Sequence, residues 1–143
     1  MVKKQNHWNI ELDPTDNTVG FIYMITNKTN KRFYIGKKQF YTTRNTRLSK
    51  KKSNELYTGK GRKPTKEKIV KESDWKTYTG SNKELNNDIL LLGKDKFTFK
   101  VLLLCTSLSE LKYKEMVYQI SLKCLETPLS YNEWIKITIT KKQ

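Results

Sequence analysis

Two tyrosines of this sequence, Tyr23 and Tyr34, are spaced so that both could act on one substrate. Each lies in a β-branched and aromatic run, and the turn cluster at 27–30 between the runs predicts a β-hairpin over 19–36. If the turn is centred in the middle of that cluster, the two tyrosines lie directly opposite each other on one face of the sheet. Such phenols could orient an attacking water. They could deprotonate it only if a cation such as Lys37 lowered a pKa that is ordinarily about 10. Packing within the hairpin is the alternative role.

A carboxylate interrupts the apolar stripe of a predicted helix. The sequence Ser107-Leu108-Ser109-Glu110 is a capping box, and it predicts a helix that ends at about Leu125. Residues 108, 111, 115, 118, 122 and 125 share one face of this helix, and only Glu115 among them is charged. Because a buried and unpaired carboxylate is costly, we expect a cation beside Glu115, which could be a metal ion, an arginine or a lysine.

The charge of the chain indicates a polyanionic partner. The 143 residues carry 29 Lys and Arg against 14 Asp and Glu, a net charge of +15, which favours nucleic acid over a solubility role or a membrane surface. Much of the excess falls within 37–74, which we interpret as a long basic loop or insertion that is mobile when unbound. We expect phosphate contacts from its cations, and from this segment we select Lys37, Lys38, Arg47, Lys50, Lys51, Lys52, Arg62 and Lys63.

The other elements predict an α+β fold, in which a small, mainly antiparallel sheet seeded by the hairpin is flanked by helices. A capping box at 81–84 predicts a helix that stops at Gly93, and 97–105 is typical of a buried strand. We divide the chain into an N-terminal extension (1–18), one module (19–134) and a C-terminal strand or tail (135–143). No apolar run approaches a membrane span of about 20 residues, and the apolar surroundings of both cysteines are typical of reduced thiols in a cytoplasmic protein.

Two triplets and three later residues carry a resemblance to a known family. The triplet Phe21-Ile22-Tyr23, which follows Gly20, and the triplet Tyr34-Ile35-Gly36 resemble the signature of the GIY-YIG nuclease family. In the first triplet Phe21 stands in place of the glycine. Arg44, Glu115 and Asn132 follow in the family's order, and 75–81 looks like a segment of phage-type members. There are departures as well. Lys37 stands where a serine is frequent, the usual downstream histidine has no counterpart, and Arg47 or Arg62 could serve in place of Arg44.

The resemblance implies a phosphodiester hydrolase that nicks or cuts DNA, which we expect to be double-stranded. In that reading, Glu115 holds one Mg²⁺ or Mn²⁺ and approaches the two tyrosines from the long helix. Arg44 clamps a phosphate, and Asn132 holds the site together through hydrogen bonds. The resemblance further suggests a phage or mobile-element nuclease, like a homing endonuclease, that acts in the cytoplasm of a bacterial host. A homodimer or a protein partner could supply specificity.

Other functional classes agree less well with the sequence. A non-catalytic nucleic-acid-binding protein would keep the basic surface and lack metal-dependent cleavage. Glu72-Ser73-Asp74-Trp75-Lys76 is superficially similar to the carboxylate and lysine pattern of restriction-type nucleases, but it lies at the edge of the basic segment. A histidine-metal nuclease is disfavoured because His7 is the single histidine, and no residue pairing supports a Cys or Ser/His hydrolase.

Overall fold

The fold is α+β, as predicted, in a computed structural model that describes residues 6–14 and 17–136. The described chain divides into two compact units, one built from residues up to Phe40 and from Asp74 onward, the other from Tyr41–Ser73. A short 3₁₀ turn, Lys94–Lys96, precedes the last strand. The elements in chain order are β1 (Gly20–Asn27), β2 (Phe33–Gln39), β3 (Tyr41–Arg47), α1 (Lys50–Leu56), β4 (Lys66–Glu72), α2 (Lys83–Leu92), β5 (Phe97–Cys105) and α3 (Leu108–Ser121).

The predicted hairpin forms, but its register differs from the prediction by two residues. Tyr23 lies opposite Gly36, not opposite Tyr34. The cause is Asn27, which stays in β1 by donating its backbone N–H to Arg32 and accepts the N–H of Thr29 on its side chain. The turn therefore begins one residue later than predicted. Because strand side chains alternate with a period of two, this shift leaves both tyrosines on the same face.

The first unit is a three-stranded antiparallel sheet in the order β2-β1-β5, with apolar side chains on both faces. One face packs Phe21, Tyr23 and Ile25 against residues of α2 and the N-terminal segment. The other face packs Ile22 and Ile35 against Leu111 of α3 and the two cysteines, which are both free and buried. Strand β2 is therefore an edge strand with a helix on either side of its sheet.

The helices begin largely where the sequence predicts, but α3 is shorter. The side chain of Ser107 caps α3 as expected, whereas Asn82, not Ser81, caps α2 by accepting the N–H of Leu85. Helix α3 ends at Ser121, so the predicted stripe to Leu125 is wrong at its ends: Leu108, Leu122 and Leu125 are exposed. Its inner face consists of Leu111, Glu115, Tyr118 and Gln119.

The basic segment is not the loop that its composition predicts. Within the second unit, β3 and β4 pair as a two-stranded antiparallel ribbon, and α1 lies between them in sequence. Threonines in β3 and the Ile69-Val70 pair in β4 supply the β-branched residues that this ribbon needs. Dense charge obscures that pattern in the sequence, because lysines and arginines interrupt it at every second or third position.

The segment before β1 also belongs to the folded core. Trp8 and Leu12 are buried, and the indole N–H of Trp8 donates to the carbonyl of Trp75 at 2.6 Å. These residues lie in the stretch assigned to an extension, and the proposed boundaries at 18 and 134 stay predictions. Residues 131–136 form no strand, and the rest of the predicted C-terminal strand lies outside the described residues. No helix among the described residues is long and apolar enough to cross a membrane.

Candidate active site

Two phenols converge on a glycine in the edge strand. The rings of Tyr23 and Tyr34 lie 6.2 Å apart between centroids. A Cβ atom built on Gly36 would lie 2.3 Å from the Tyr23 hydroxyl oxygen and 3.0 Å from a ring carbon of Tyr34. Such distances are too short for any side chain, so Gly36 is the residue that lets both rings lie across β2. This packing accounts for the glycine of the second triplet.

A third tyrosine, which sequence reasoning did not select, completes this cluster. The hydroxyl of Tyr78 is hydrogen-bonded to that of Tyr23, and their rings meet edge to face at 6.1 Å. Ser81 is hydrogen-bonded to Tyr34 at 3.1 Å and also to Tyr78. The available signal was the stretch 75–81, whose similarity to phage-type members indicated no particular role for either residue.

Lys38 fixes the outer side of this cluster. Its ammonium nitrogen lies 3.8 Å from the centre of the Tyr78 ring and 2.6 Å from a carboxylate oxygen of Asp74. The ion pair with Lys38 lowers the pKa of Asp74. Lys38, predicted as a phosphate contact, thus has two partners within the protein, and Asp74 is engaged with it rather than free to serve a restriction-type site.

The three phenols are held in their protonated form. Burial is the largest cause that raises the pKa of Tyr23 well above its usual value, and neighbouring Tyr34, Tyr78 and Glu115 raise it further. Burial also raises the pKa of Tyr34, partly offset by its hydrogen bond to Ser81 and increased by the charge of Glu115. The pKa of Tyr78 is raised by burial as well. Near pH 7 the three phenols are therefore protonated, and Lys37 is not among the charges that shift their pKa.

Glu115 has a cationic partner, as its place on the helix predicts. The Lys37 ammonium nitrogen lies 3.1 Å from a carboxylate oxygen of Glu115, and the two side chains are 30% and 17% exposed. Lys37 lies opposite Ile22 and so points to the α3 face of the sheet, away from the phenol face. Glu115 lies on the long helix, and this helix packs on the sheet face opposite to the phenols, where Leu111 anchors it. The charge of Glu115 nevertheless acts on the pKa of Tyr23 and Tyr34.

Asn132 binds the backbone of β2, the strand whose side chains alternate between the phenol face and the α3 face of the sheet. Its side chain accepts the N–H of Ile35 at 3.0 Å and donates to the carbonyl of the same residue at 2.9 Å. Gln119 of α3 donates to that carbonyl at 3.1 Å. Asn132 itself is buried and bonded to Ser130. These hydrogen bonds hold the strand that carries Tyr34, Gly36 and Lys37.

Comparison with known families decides what this arrangement is. Residues 3–135 match the family model described as 'Putative endonuclease segE, GIY-YIG domain'. The chain belongs to the GIY-YIG family. No curated protein and no solved structure matches it. Membership of the GIY-YIG family indicates that this is a nuclease domain and implies that its substrate is DNA.

The donor set of this GIY-YIG domain fits a weakly held, hard cation. Among residues 6–14 and 17–136, no three His, Cys, Asp or Glu side chains are grouped to hold a metal by themselves. Mg²⁺ commonly binds through one or two carboxylates and completes its shell with water and substrate phosphate. Glu115, part exposed to solvent, fits such a site and does not fit a closed zinc or calcium cage.

The remaining predicted residues of the GIY-YIG site lie in the second unit. Arg44 is exposed on β3 opposite Ile69, Arg47 ends the same strand, and Arg62 is exposed between α1 and β4. Tyr23, Tyr34, Lys37, Glu115 and Asn132 are all in the first unit. The identity of the active-site arginine among these three therefore stays a prediction.

Proposed function

We propose that this GIY-YIG domain is a metal-dependent endonuclease that hydrolyses phosphodiester bonds in double-stranded DNA. The observation that carries the proposal is the position of Glu115. It is a partly exposed carboxylate on the inner face of α3, and its charge reaches two phenols held at a glycine of the edge strand. A purely structural ion pair would not require those phenols or that glycine.

Each group of the chain then has a definite task. Glu115 would hold Mg²⁺ or Mn²⁺, which when bound would neutralise phosphate charge and make water a better nucleophile. Lys37 is close enough to Glu115 to add positive charge beside the scissile phosphate. Arg44 is our candidate for the phosphate clamp, since a guanidinium matches two phosphate oxygens and stays charged.

In this proposal the phenols orient the attacking water or donate a hydrogen bond to the phosphate, and they do not remove a proton from the water. With a raised pKa, Tyr34 keeps its hydroxyl hydrogen at neutral pH and can donate it to a phosphate oxygen. The hydroxyl hydrogen of Tyr23 is donated to Tyr78, so its oxygen can accept a hydrogen from the attacking water and orient that water. Tyr78 and Ser81 are positioning residues, because their hydrogen bonds set the direction in which the two hydroxyls point. Asn132 is a positioning residue for β2.

A plasmid-nicking assay tests the proposal. Supercoiled plasmid should be converted to nicked or linear form with Mg²⁺ or Mn²⁺ and remain intact in EDTA. Glu115→Gln should abolish conversion, whereas Glu126→Gln, a matched change at an exposed carboxylate beyond α3, should not. DNA binding without cleavage by the wild-type protein in any divalent cation would contradict the proposal and favour a non-catalytic binding protein.

The biological setting is part of the same proposal. The family model is the one described as 'Putative endonuclease segE, GIY-YIG domain', and the stretch 75–81 resembles phage-type members, which supports a nuclease of a phage or mobile element acting in bacterial cytoplasm. A homodimer or a protein partner would add to its specificity. Sedimentation of the protein on a short duplex, with and without excess protein, distinguishes one bound copy from two.

A further inference from the structure

One face of the β3–β4 ribbon, which we call the covered face, has a half-buried pair near one end, whereas every residue of the other face is exposed. Directly paired residues share a face, so Thr46 and Glu67 lie together, and they are the only ribbon residues that are half-buried. Glu67 forms an ion pair of 2.7 Å with Lys52 of α1, which places α1 on that side. We call the opposite side the open face, and its pairs include Thr43 with Val70, Asn45 with Lys68, and Arg47 with Lys66 at the end of the ribbon.

The open face offers more than positive charge. Arg47, Lys66 and Lys68 are exposed, and no ion pair or side-chain hydrogen bond to another described residue engages them. Between these cations lies the amide of Asn45, and Val70 is 64% exposed beside them. Contacts to phosphates need only cations. An amide, a guanidinium and a methyl group are the groups that pair with adenine, guanine and thymine edges in the major groove.

The second unit has little reason to be stable without a partner. Within Tyr41–Ser73 only Leu48 and Ser53 are buried. A two-stranded sheet by itself is at best marginally stable in water. The unit also carries eleven lysines and arginines against three glutamates. Its net charge of +8 is more than half of the +15 of the whole chain. A bound polyanion would offset this repulsion and add stability through binding.

We propose that the open face enters the major groove of duplex DNA and contacts base edges through Asn45 and Arg47. A two-stranded ribbon has the width that the major groove admits. The inference rests on the proposed function for its substrate and goes beyond it, because phosphodiester hydrolysis needs only backbone contacts. The ribbon would thus give the nuclease a preference for sequence, whereas the surrounding lysines give affinity without one.

Selection from a random duplex library tests this inference without cleavage. The full chain carrying Glu115→Gln is incubated with the library in EDTA, and bound DNA is sequenced. The parent should enrich particular bases at a few neighbouring positions. Adding Asn45→Ala should reduce the preference at one position by about 5- to 100-fold and leave affinity for random DNA nearly unchanged.

Two further variants separate base contacts from phosphate contacts. Arg47→Gln and Lys71→Gln each remove one exposed charge from the ribbon, the first from the open face and the second from the covered face. Both should lower the slope of log affinity against log salt by about 1. Only Arg47→Gln should also alter the selected sequence. Asn45→Thr, which suits a strand, serves as a second variant if Asn45→Ala does not fold.

The outcomes are distinct from those that test cleavage. The inference is wrong if the parent enriches no sequence, or if every variant keeps the parent's preference. A protein that nicks plasmid with Mg²⁺ but selects no sequence supports the proposed function and refutes the ribbon. A protein that selects a sequence but never cuts supports the base contacts of the ribbon and refutes the proposed cleavage.

Discussion

Replacing Glu115 with glutamine separates a metal ligand from a structural ion pair. At 3.1 Å and an effective dielectric constant of about 20, the attraction between Lys37 and Glu115 is roughly 5 kcal/mol before desolvation. Because the two side chains are 30% and 17% exposed, solvent screening and desolvation leave about 1 kcal/mol net. We therefore expect the free energy of unfolding to fall by about 1 kcal/mol and the melting temperature by about 3 °C.

The effect on cleavage should be far larger than the effect on stability. Loss of the ligand should reduce Mg²⁺-dependent nicking by about 1,000-fold or more, or about 4 kcal/mol of transition-state stabilisation. Lys37→Gln is the matched variant, because it removes the same ion pair from the other side. It should cost a similar amount of stability and only about tenfold in rate. Binding to DNA in EDTA should persist in both.

Thermal melting and nicking are measured on the same preparations, with the double variant completing the cycle. The coupling energy for unfolding should be about 1 kcal/mol, as for a partly exposed pair. If Glu115→Gln and Lys37→Gln lose equal stability and both still cut at the wild-type rate, Glu115 is a structural residue. That result would refute the metal site and the reasoning built on the position of Glu115.

Three other perturbations follow from the structure. Tyr34→Phe and Tyr23→Phe remove a hydroxyl and almost no volume, so turnover should fall at least about tenfold with little change in melting temperature; full activity in both would leave the tyrosines a packing role. Exchanging lysines 50–52 for glutamine should lower the salt slope of DNA binding by about 0.9 for each phosphate that these lysines neutralise, and an unchanged slope would exclude α1 from the interface. Burial, followed by the charge of Lys94, lowers the pKa of His7 to about 4. Because the His7 imidazole binds a proton more readily in the unfolded chain than in the folded one, the free energy of unfolding should be highest above pH 6.5 and should decline as the pH falls toward 4. His7→Phe should flatten the melting profile between pH 6.5 and 4.5, and an unaltered profile would contradict this assignment.

Much of the first unit could be predicted because its determinants are local. Alternating β-branched and aromatic residues specify the hairpin, and the caps of α2 and α3 lie within one residue of the predicted positions. A carboxylate among apolar positions was enough to predict a cation beside Glu115. The register was missed because Asn27 can serve either as a turn residue or as the last residue of a strand. Its hydrogen bond to Tyr131, far away in sequence, favours the strand.

What could not be predicted depends on contacts between distant segments. Tyr78 and Ser81 carry no local mark of function, and their relevance appears only when the chain brings them against Tyr23 and Tyr34. The ribbon was missed for a different reason. Its strands are separated by α1 and a long connection, so no short turn signals the pairing, and composition alone favours disorder.

Strand β2 is where the two halves of the candidate site meet. Its side chains alternate between faces, so Tyr34 belongs to the phenol cluster while Lys37 reaches Glu115 on the α3 side. Gly36 is the gap over which the Tyr23 hydroxyl lies, and Asn132 holds the backbone one residue before it. The outer edge of β2 is bonded to the segment 129–132 through Phe33 and Ile35, so this segment supports the backbone that carries both sets of side chains. A change that loosens Asn132 should therefore disturb phenols and carboxylate together, whereas a change at Tyr78 should disturb the phenols alone.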